Sequence, residues 1–127
     1  STHGYTMPEW TNTSLVKKAS EMITEDIKKR SGTYNLVNTL DGDTRANPYR
    51  YVLIYNNKTA PLGVEKYSEA DHLYIVTRNG KNELLDDKRW ELASFPVGEI
   101  KDLGVIGGDI KMYRWDNGVG DRKDLRE

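Results

Sequence analysis

The chain has 127 residues, of which 36% are hydrophobic and 31% are charged, values typical of one soluble domain. It carries 19 Lys and Arg against 20 Asp and Glu, so no overall field draws it to nucleic acid or to an anionic membrane. The absence of Cys excludes disulfides and thiolate zinc sites, and no apolar run reaches the roughly 20 residues of a membrane-spanning helix. We expect one monomeric domain over residues 1–127, without metal or cofactor, with a frayed N-terminal segment and a frayed tail over about residues 116–127.

The first predicted element is a helix between Asn12 and Arg30. Apolar residues recur there at helical spacing, and charged residues fill the other face. The apolar positions are Leu15, Ala19, Met22, Ile23 and Ile27. Asn12 or Thr13 can cap the start of the helix, and Ser31-Gly32 supplies a stop.

After Gly32 the chain changes to short segments that are rich in β-branched and aromatic residues and separated by turn residues. The pattern predicts strands over residues 34–40, 49–55, 72–78, 89–95 and 109–115. Asn79-Gly80 predicts a tight hairpin turn because this pair accepts positive φ angles, and the glycine-rich segment 104–108 predicts a flexible turn. The predicted fold class is α+β, with one main helix packed on a twisted antiparallel sheet.

Two of these segments, 48–54 and 70–76, read PYRYVLI and ADHLYIV. Together with the helix before them, these segments resemble the guanyl-specific fungal ribonucleases. In those enzymes a helix is followed along the chain by the motifs Tyr-Pro-His, Pro-Tyr-x-Glu, Ala-Asp-Arg-Val-Val and Ile-Thr-His. The chain also resembles the ribonuclease-like effectors that powdery mildew fungi secrete, which have a Tyr near the mature N terminus, one helix and a Tyr-rich sheet. Met7 stands where that group usually has Cys. The resemblance implies a microbial ribonuclease-like fold.

The catalytic residues of the ribonucleases do not carry over to this sequence. In the resemblance, Tyr51 stands at the Glu position, Leu36 at the first His position and His72 at the Arg position. The reaction needs a general base, a general acid and a cation, and a tyrosine with a reference pKa of about 10 cannot replace a carboxylate base near neutral pH. We predict an inactive pseudo-ribonuclease with no catalytic residue.

The resemblance then implies a secreted virulence effector that is translocated into a plant host cell, binds a host protein, and is recognised by an intracellular immune receptor. Binding of host RNA or the ribosome is also implied, and no membrane partner is expected. The candidate contact residues are Tyr49, Tyr51, His72, Tyr74, Arg50, Arg78, Trp10 and Trp115. Tyrosines and arginines on one sheet face would stack on bases and contact phosphates, or the tyrosines fill the core instead.

Three further expectations concern tryptophan and other classes of function. Trp10 and Trp115 lie near the ends of the ordered region and are expected at the surface, whereas Trp90 in mid-strand is expected in the core. A cystatin-type inhibitor of cysteine proteases also lays one helix over a sheet and uses an N-terminal glycine such as Gly4, although the Gln-x-Val-x-Gly loop is missing here. An active ribonuclease that uses other residues is the third alternative.

Overall fold

The computed structural model describes residues 13–56 and 59–119. The elements follow in chain order as α1 (Ser14–Ile27), β1 (Tyr34–Asn38), α2 (Asn47–Asn56), β2 (His72–Thr77), α3 (Lys81–Leu85), α4 (Trp90–Ala93), β3 (Val97–Gly107) and β4 (Ile110–Asn117). The predicted α+β class is confirmed. Within the described ranges, no helix has the length and apolar character needed to cross a membrane.

The four strands form one mixed sheet in the order β1-β2-β4-β3. Strands β1 and β2 are parallel, with Tyr34 opposite His72, and β4 runs antiparallel to both β2 and β3. The prediction of a wholly antiparallel sheet is therefore wrong. The reason lies in the connection from β1 to β2, which contains α2 and returns the chain to the same end of the sheet, as a parallel pair requires.

Helix α1 forms where the sequence predicts it, but it ends at Ile27 rather than at Arg30. The hydroxyl of Thr13 accepts a hydrogen bond from the backbone N–H of Val16 at 3.2 Å, which caps the first turn. The helix buries Val16, Ala19, Ser20, Ile23 and Ile27. All but Ser20 are apolar residues on one face, so burial of this face holds α1 on the sheet.

Buried side chains form two cores, one on each face of the sheet. The α1–α2 core includes Ile23 of α1, Leu53 of α2 and Tyr74 of β2. The α3–α4 core includes Leu84 of α3, Leu92 of α4 and Ile75 of β2. Because Tyr74 and Ile75 are neighbours in one strand, their side chains point to opposite faces. The sheet is therefore covered by helices on both sides.

The segment 49–55, predicted as a strand, lies within helix α2. It buries Tyr49, Arg50, Val52 and Leu53, a spacing that belongs to a helix rather than a strand. Pro48 lies in the first turn, where its missing N–H costs nothing, and the carboxylate of Asp43 accepts a hydrogen bond from the N–H of Asn47 at 2.9 Å. The β-branched and aromatic composition of this segment misled the strand prediction, because tertiary packing overrides such preferences.

Three other local predictions are also wrong. Asn79-Gly80 makes no hairpin: Gly80 is the N-cap of α3, and its N–H donates to the side chain of Glu83 at 2.9 Å. The predicted strand 89–95 contains α4. The glycine-rich segment 104–108 is mostly strand, since β3 continues to Gly107.

The predicted frayed ends lie largely outside the described residues, which end at 119. The tail was expected from about residue 116, but Asp116 and Asn117 complete β4. Asn117 donates from its side chain to the carbonyl of Ala70 at 2.8 Å. The strand therefore extends further than its hydrophobic pattern predicts, because side-chain hydrogen bonds continue to hold it.

Candidate functional site

The predicted platform of tyrosines and arginines on one sheet face does not form. Tyr49 and Tyr74 are buried in the α1–α2 core, and Tyr51 lies on α2 rather than on a strand. Arg78 follows β2 and pairs with Asp109 at 3.1 Å, where both side chains are exposed. Of these four candidates, only Tyr51 and Arg78 can reach a partner from the surface.

Arg50 is buried and ties α2 to the rest of the fold. Its guanidinium donates to the side-chain oxygen of Asn35 at 2.7 Å, to the carbonyl of Leu62 at 2.8 Å and to the hydroxyl of Tyr67 at 2.9 Å. Its Nε donates to the carbonyl of Arg45 at 3.2 Å. These contacts join α2, β1 and the segment before β2. Arg50 therefore stabilises the fold, and its guanidinium is not available to bind phosphate.

Tyr67 completes this buried arrangement. Its hydroxyl donates to the carbonyl of Leu36 at 2.7 Å while it accepts from Arg50. Burial raises the pKa of Tyr67 to about 12, despite the opposing effect of the Arg50 charge. The hydroxyl therefore stays protonated near neutral pH and acts as a fixed hydrogen-bond donor.

A network of charged side chains joins α1, β2 and β4. Arg114 donates through Nη1 to both carboxylate oxygens of Asp26, at 3.0 and 2.9 Å, and through Nε to Asp116 at 2.9 Å. Tyr74 donates from its hydroxyl to Asp26 at 2.6 Å. Burial raises the pKa of the Asp26 carboxyl, but hydrogen bonds from Tyr74, Arg30 and Arg114 outweigh that effect and hold the pKa below its usual value.

His72 lies at the edge of this network. Its Nδ1 is 2.8 Å from a carboxylate oxygen of Asp116, and its Nε2 is 3.0 Å from the carbonyl oxygen of Ser31. Neighbouring Asp71 faces elsewhere and accepts hydrogen bonds from Thr33. Both ring nitrogens of His72 therefore lie beside acceptors of the same chain, one of them the carbonyl of exposed Ser31, so a catalytic role would require one of these contacts to break.

Two sequence predictions about the exposure of tryptophan side chains are wrong. Trp115, expected at the surface, is only 1% exposed and packs against Phe95 with ring centroids 6.3 Å apart. Trp90, expected in the core, is 50% exposed and meets the ring of buried Tyr67 edge-on. Trp10 lies outside the described residues. The reason for the reversal is that Trp90 belongs to a short helix and Trp115 to a central strand.

The outward side of α2 carries an apolar surface that the sequence reading missed. It consists of Tyr51, Ile54 and Tyr55, which are 37%, 55% and 50% exposed. The rings of Tyr51 and Tyr55 are stacked, with centroids 6.1 Å apart and planes 13° apart. We call these three residues the α2 face. Ile54 and Tyr55 follow Tyr51 by three and four residues, a spacing that places side chains on the same side of a helix. This spacing was the sequence feature that could have predicted the α2 face.

A groove of about 340 Å³ runs between α1 and α2. It is lined by Lys17, Ser20, Glu21, Thr24, Glu25, Val52, Leu53 and Asn56. The hydroxyl of Ser20 is buried there and has no hydrogen-bond partner among the described residues. We call this feature the α1–α2 groove.

Within the described ranges, no three His, Asp or Glu side chains lie close enough together to hold a metal ion. Comparisons of the chain with protein-family models, curated proteins and solved structures find no match.

Proposed function

We propose that this chain is a noncatalytic protein-binding domain that acts through the α2 face. Following the resemblance of its sequence, we further propose that it is a ribonuclease-like effector that is secreted and acts inside a plant host cell, where an intracellular immune receptor can recognise it. The observation that carries the binding role is the exposure of Tyr51, Ile54 and Tyr55 on one side of one helix.

Exposed apolar side chains that cluster, rather than occur singly, mark interaction surfaces. Aromatic residues are enriched at protein interfaces because they bury large area at a low entropic cost. On the α2 face, two stacked tyrosines lie beside an isoleucine that is more than half exposed. These properties favour a protein partner.

The charge of α2 favours protein over RNA. The helix has the sequence NPYRYVLIYN, in which the single charged residue is Arg50. Arg50 is buried and donates its hydrogen bonds inward. An RNA surface needs cations to neutralise phosphates, and α2 offers none at its outer side.

The proposal of a noncatalytic role is supported by the contacts of His72. Both of its ring nitrogens lie within 3.0 Å of internal acceptors. The carboxylates of Asp26 and Asp116 accept hydrogen bonds from buried Arg114. A general base and a general acid must each contact the substrate to transfer a proton. His72, Asp26 and Asp116 instead form their contacts with groups of the same chain.

Support for a ribonuclease-like relationship comes from the order of the elements at the start of the chain and from the central strand. Helix α1 precedes the sheet, and β2 begins at His72, where the resemblance to the Ala-Asp-Arg-Val-Val strand lies. The segment that resembles Pro-Tyr-x-Glu forms α2 instead of a strand. The relationship is therefore proposed from α1 and β2 and not from this segment.

A pair of matched variants tests the binding role. Ile54→Asp places a charge on the α2 face, and Val105→Asp does the same at a similarly exposed position on β3. Proximity labelling in plant leaf cells should give a set of labelled host proteins for the unchanged protein and for Val105→Asp. Ile54→Asp should lose that set while folding normally. An identical set for all three proteins would refute a role for the α2 face.

Incubation with labelled RNA tests the noncatalytic part of the proposal. The purified protein should leave the RNA uncut, and any binding at low salt should disappear near physiological salt. Cleavage that is abolished by His72→Ala or Tyr51→Phe would show an active ribonuclease. Salt-resistant RNA binding would favour an RNA partner instead.

A further inference from the structure

The connection between α1 and β1 passes beside the start of β2. Its residues Ser31, Gly32 and Thr33 are exposed. Thr33 is held by Asp71, whose carboxylate accepts hydrogen bonds from the backbone N–H of Thr33 at 2.8 Å and from its hydroxyl at 3.2 Å. Ser31 is held differently, because its carbonyl oxygen lies 3.0 Å from Nε2 of His72. The position of Ser31 therefore depends on the state of one imidazole ring.

Both atoms that face the ring of His72 are hydrogen-bond acceptors. Ser31 presents a backbone carbonyl, which can only accept. Asp116 presents a carboxylate oxygen 2.8 Å from Nδ1, and Nε of Arg114 donates to the same oxygen at 2.9 Å. A neutral imidazole has one N–H and one lone pair, so it satisfies one acceptor and turns its lone pair toward the other. Only the imidazolium, with two N–H groups, donates to both.

The charges around His72 also suit a protonated ring. The titratable and charged groups of the elements packed against it are Asp116 and Arg114 of β4, Asp26 of α1, Arg30 after α1, Asp71 before β2 and Tyr34 of β1. Burial raises the pKa of the Tyr34 hydroxyl, which therefore carries no charge near neutral pH. Among these groups, three carboxylates lie near two guanidiniums. An imidazolium at His72 supplies a third positive charge.

We propose that His72 is a pH-sensitive switch that binds Ser31 in acid and releases it as the pH rises. Histidine loses its charge between about pH 5 and pH 8, and the released proton passes to water. The remaining proton stays on Nδ1, because a hydrogen bond to the carboxylate of Asp116 is stronger than one to a carbonyl. The lone pair of Nε2 then faces the oxygen of Ser31, so Ser31 moves away while Thr33 stays bound to Asp71.

A pH titration of the complete, isotope-labelled protein, followed by amide and imidazole chemical shifts, tests this proposal. The amide of Gly32 belongs to the same peptide group as the carbonyl of Ser31, so its shift reports the contact with His72. Between about pH 5 and pH 8, the Gly32 shift should move along the same curve as the ring of His72. In His72→Gln, whose side chain does not change charge, this movement should be lost. His3→Gln, which replaces the other histidine, is the matched control and should keep it.

The imidazole shifts of the unchanged protein give a second measurement that needs no variant. At about pH 8, the proton of His72 should lie on Nδ1, because that nitrogen faces Asp116. A Gly32 shift that stays constant with pH, or that moves equally in His72→Gln, would overturn the proposal. A neutral His72 with its proton on Nε2 would overturn it as well, since Ser31 would then keep its hydrogen bond. The ring measurement decides the question even if His72→Gln does not fold.

Discussion

Arg114 of β4 donates to both carboxylate oxygens of Asp26 in α1, at 3.0 and 2.9 Å. The side chain of Arg114 is 4% exposed and that of Asp26 is 13% exposed, so little water reaches the pair. A buried guanidinium without carboxylates would be costly. The pair therefore holds the last turn of α1 against the central strand β4.

Asp26→Asn should destabilise the protein by about 2–3 kcal/mol, because Arg114 then lacks one of its two carboxylates. Urea unfolding measures this free energy. Glu25→Gln is the matched control, since Glu25 pairs with Lys28 where both side chains are exposed. The control should change stability by less than about 0.5 kcal/mol. Equal effects of the two variants would contradict the structural role of Asp26.

The stabilisation from Asp26 should depend on pH. The folded-state pKa of its carboxyl is below the ordinary value of 3.8, so the contribution is complete above that value and is lost as pH falls through the folded-state pKa. The difference in unfolding free energy between the unchanged protein and Asp26→Asn should therefore be larger at about pH 7 than at about pH 2.5. A difference that does not shrink in acid would contradict the assigned hydrogen bonds.

Arg50→Lys should destabilise the protein by about 2–4 kcal/mol, because a single ammonium cannot reach the oxygens of Asn35, Leu62 and Tyr67 together. Hydrogen exchange offers a local measurement. The N–H of Leu62, which donates to the carbonyl of Tyr34 at 2.9 Å, should exchange faster in this variant. Arg78→Lys, at an exposed pair, is the control and should leave that exchange rate unchanged. A slow Leu62 amide in Arg50→Lys would show that the guanidinium does not hold this segment.

Ser20→Ala should stabilise the protein by about 1 kcal/mol, because it removes a buried hydroxyl that has no described partner. Thermal unfolding of the variant beside Ser68→Ala measures the effect. Ser68 is exposed, so its substitution should be close to neutral. Destabilisation by Ser20→Ala would mean that the hydroxyl is paired within the fold.

The parts of the fold that the sequence predicted are those that depend on local pattern. The apolar spacing from Leu15 to Ile27 and the cap at Thr13 predicted α1, and the apolar runs of β2 and β4 predicted two central strands. These segments are buried on one or both sides, so their hydrophobic period matches their structure.

The strand predicted over residues 34–40 is present as β1, whereas the elements that the sequence did not predict depend on contacts between distant residues. Helix α2 forms from a segment with the composition of a strand, and it is held by Arg50 bonding to Asn35 and Leu62. Strand β3 contains three glycines and several charged residues and lies at the sheet edge, where hydrophobic alternation is weak. For both α2 and β3, the local sequence pattern is too weak to predict the element against the composition of the segment.

The candidate site could not be predicted for the same reason. A strand over residues 49–55 places Tyr51 and Tyr55 on one side of a sheet and Ile54 on the other, whereas the helix brings all three together. Likewise, the contact between His72 and Asp116 depends on the pairing of β2 with β4, which the sequence does not specify.

Site-specific photo-crosslinking from the α2 face tests whether this face binds a host protein. Benzoylphenylalanine in place of Tyr55 keeps an aromatic side chain at a half-exposed position, and the same group in place of Val105 is the control on β3. In plant cells, the group at position 55 should crosslink to a discrete host protein, the group at 105 should not, and Ile54→Asp should abolish the crosslink. The same adducts from both positions, or crosslinks to RNA alone, would contradict protein binding by the α2 face.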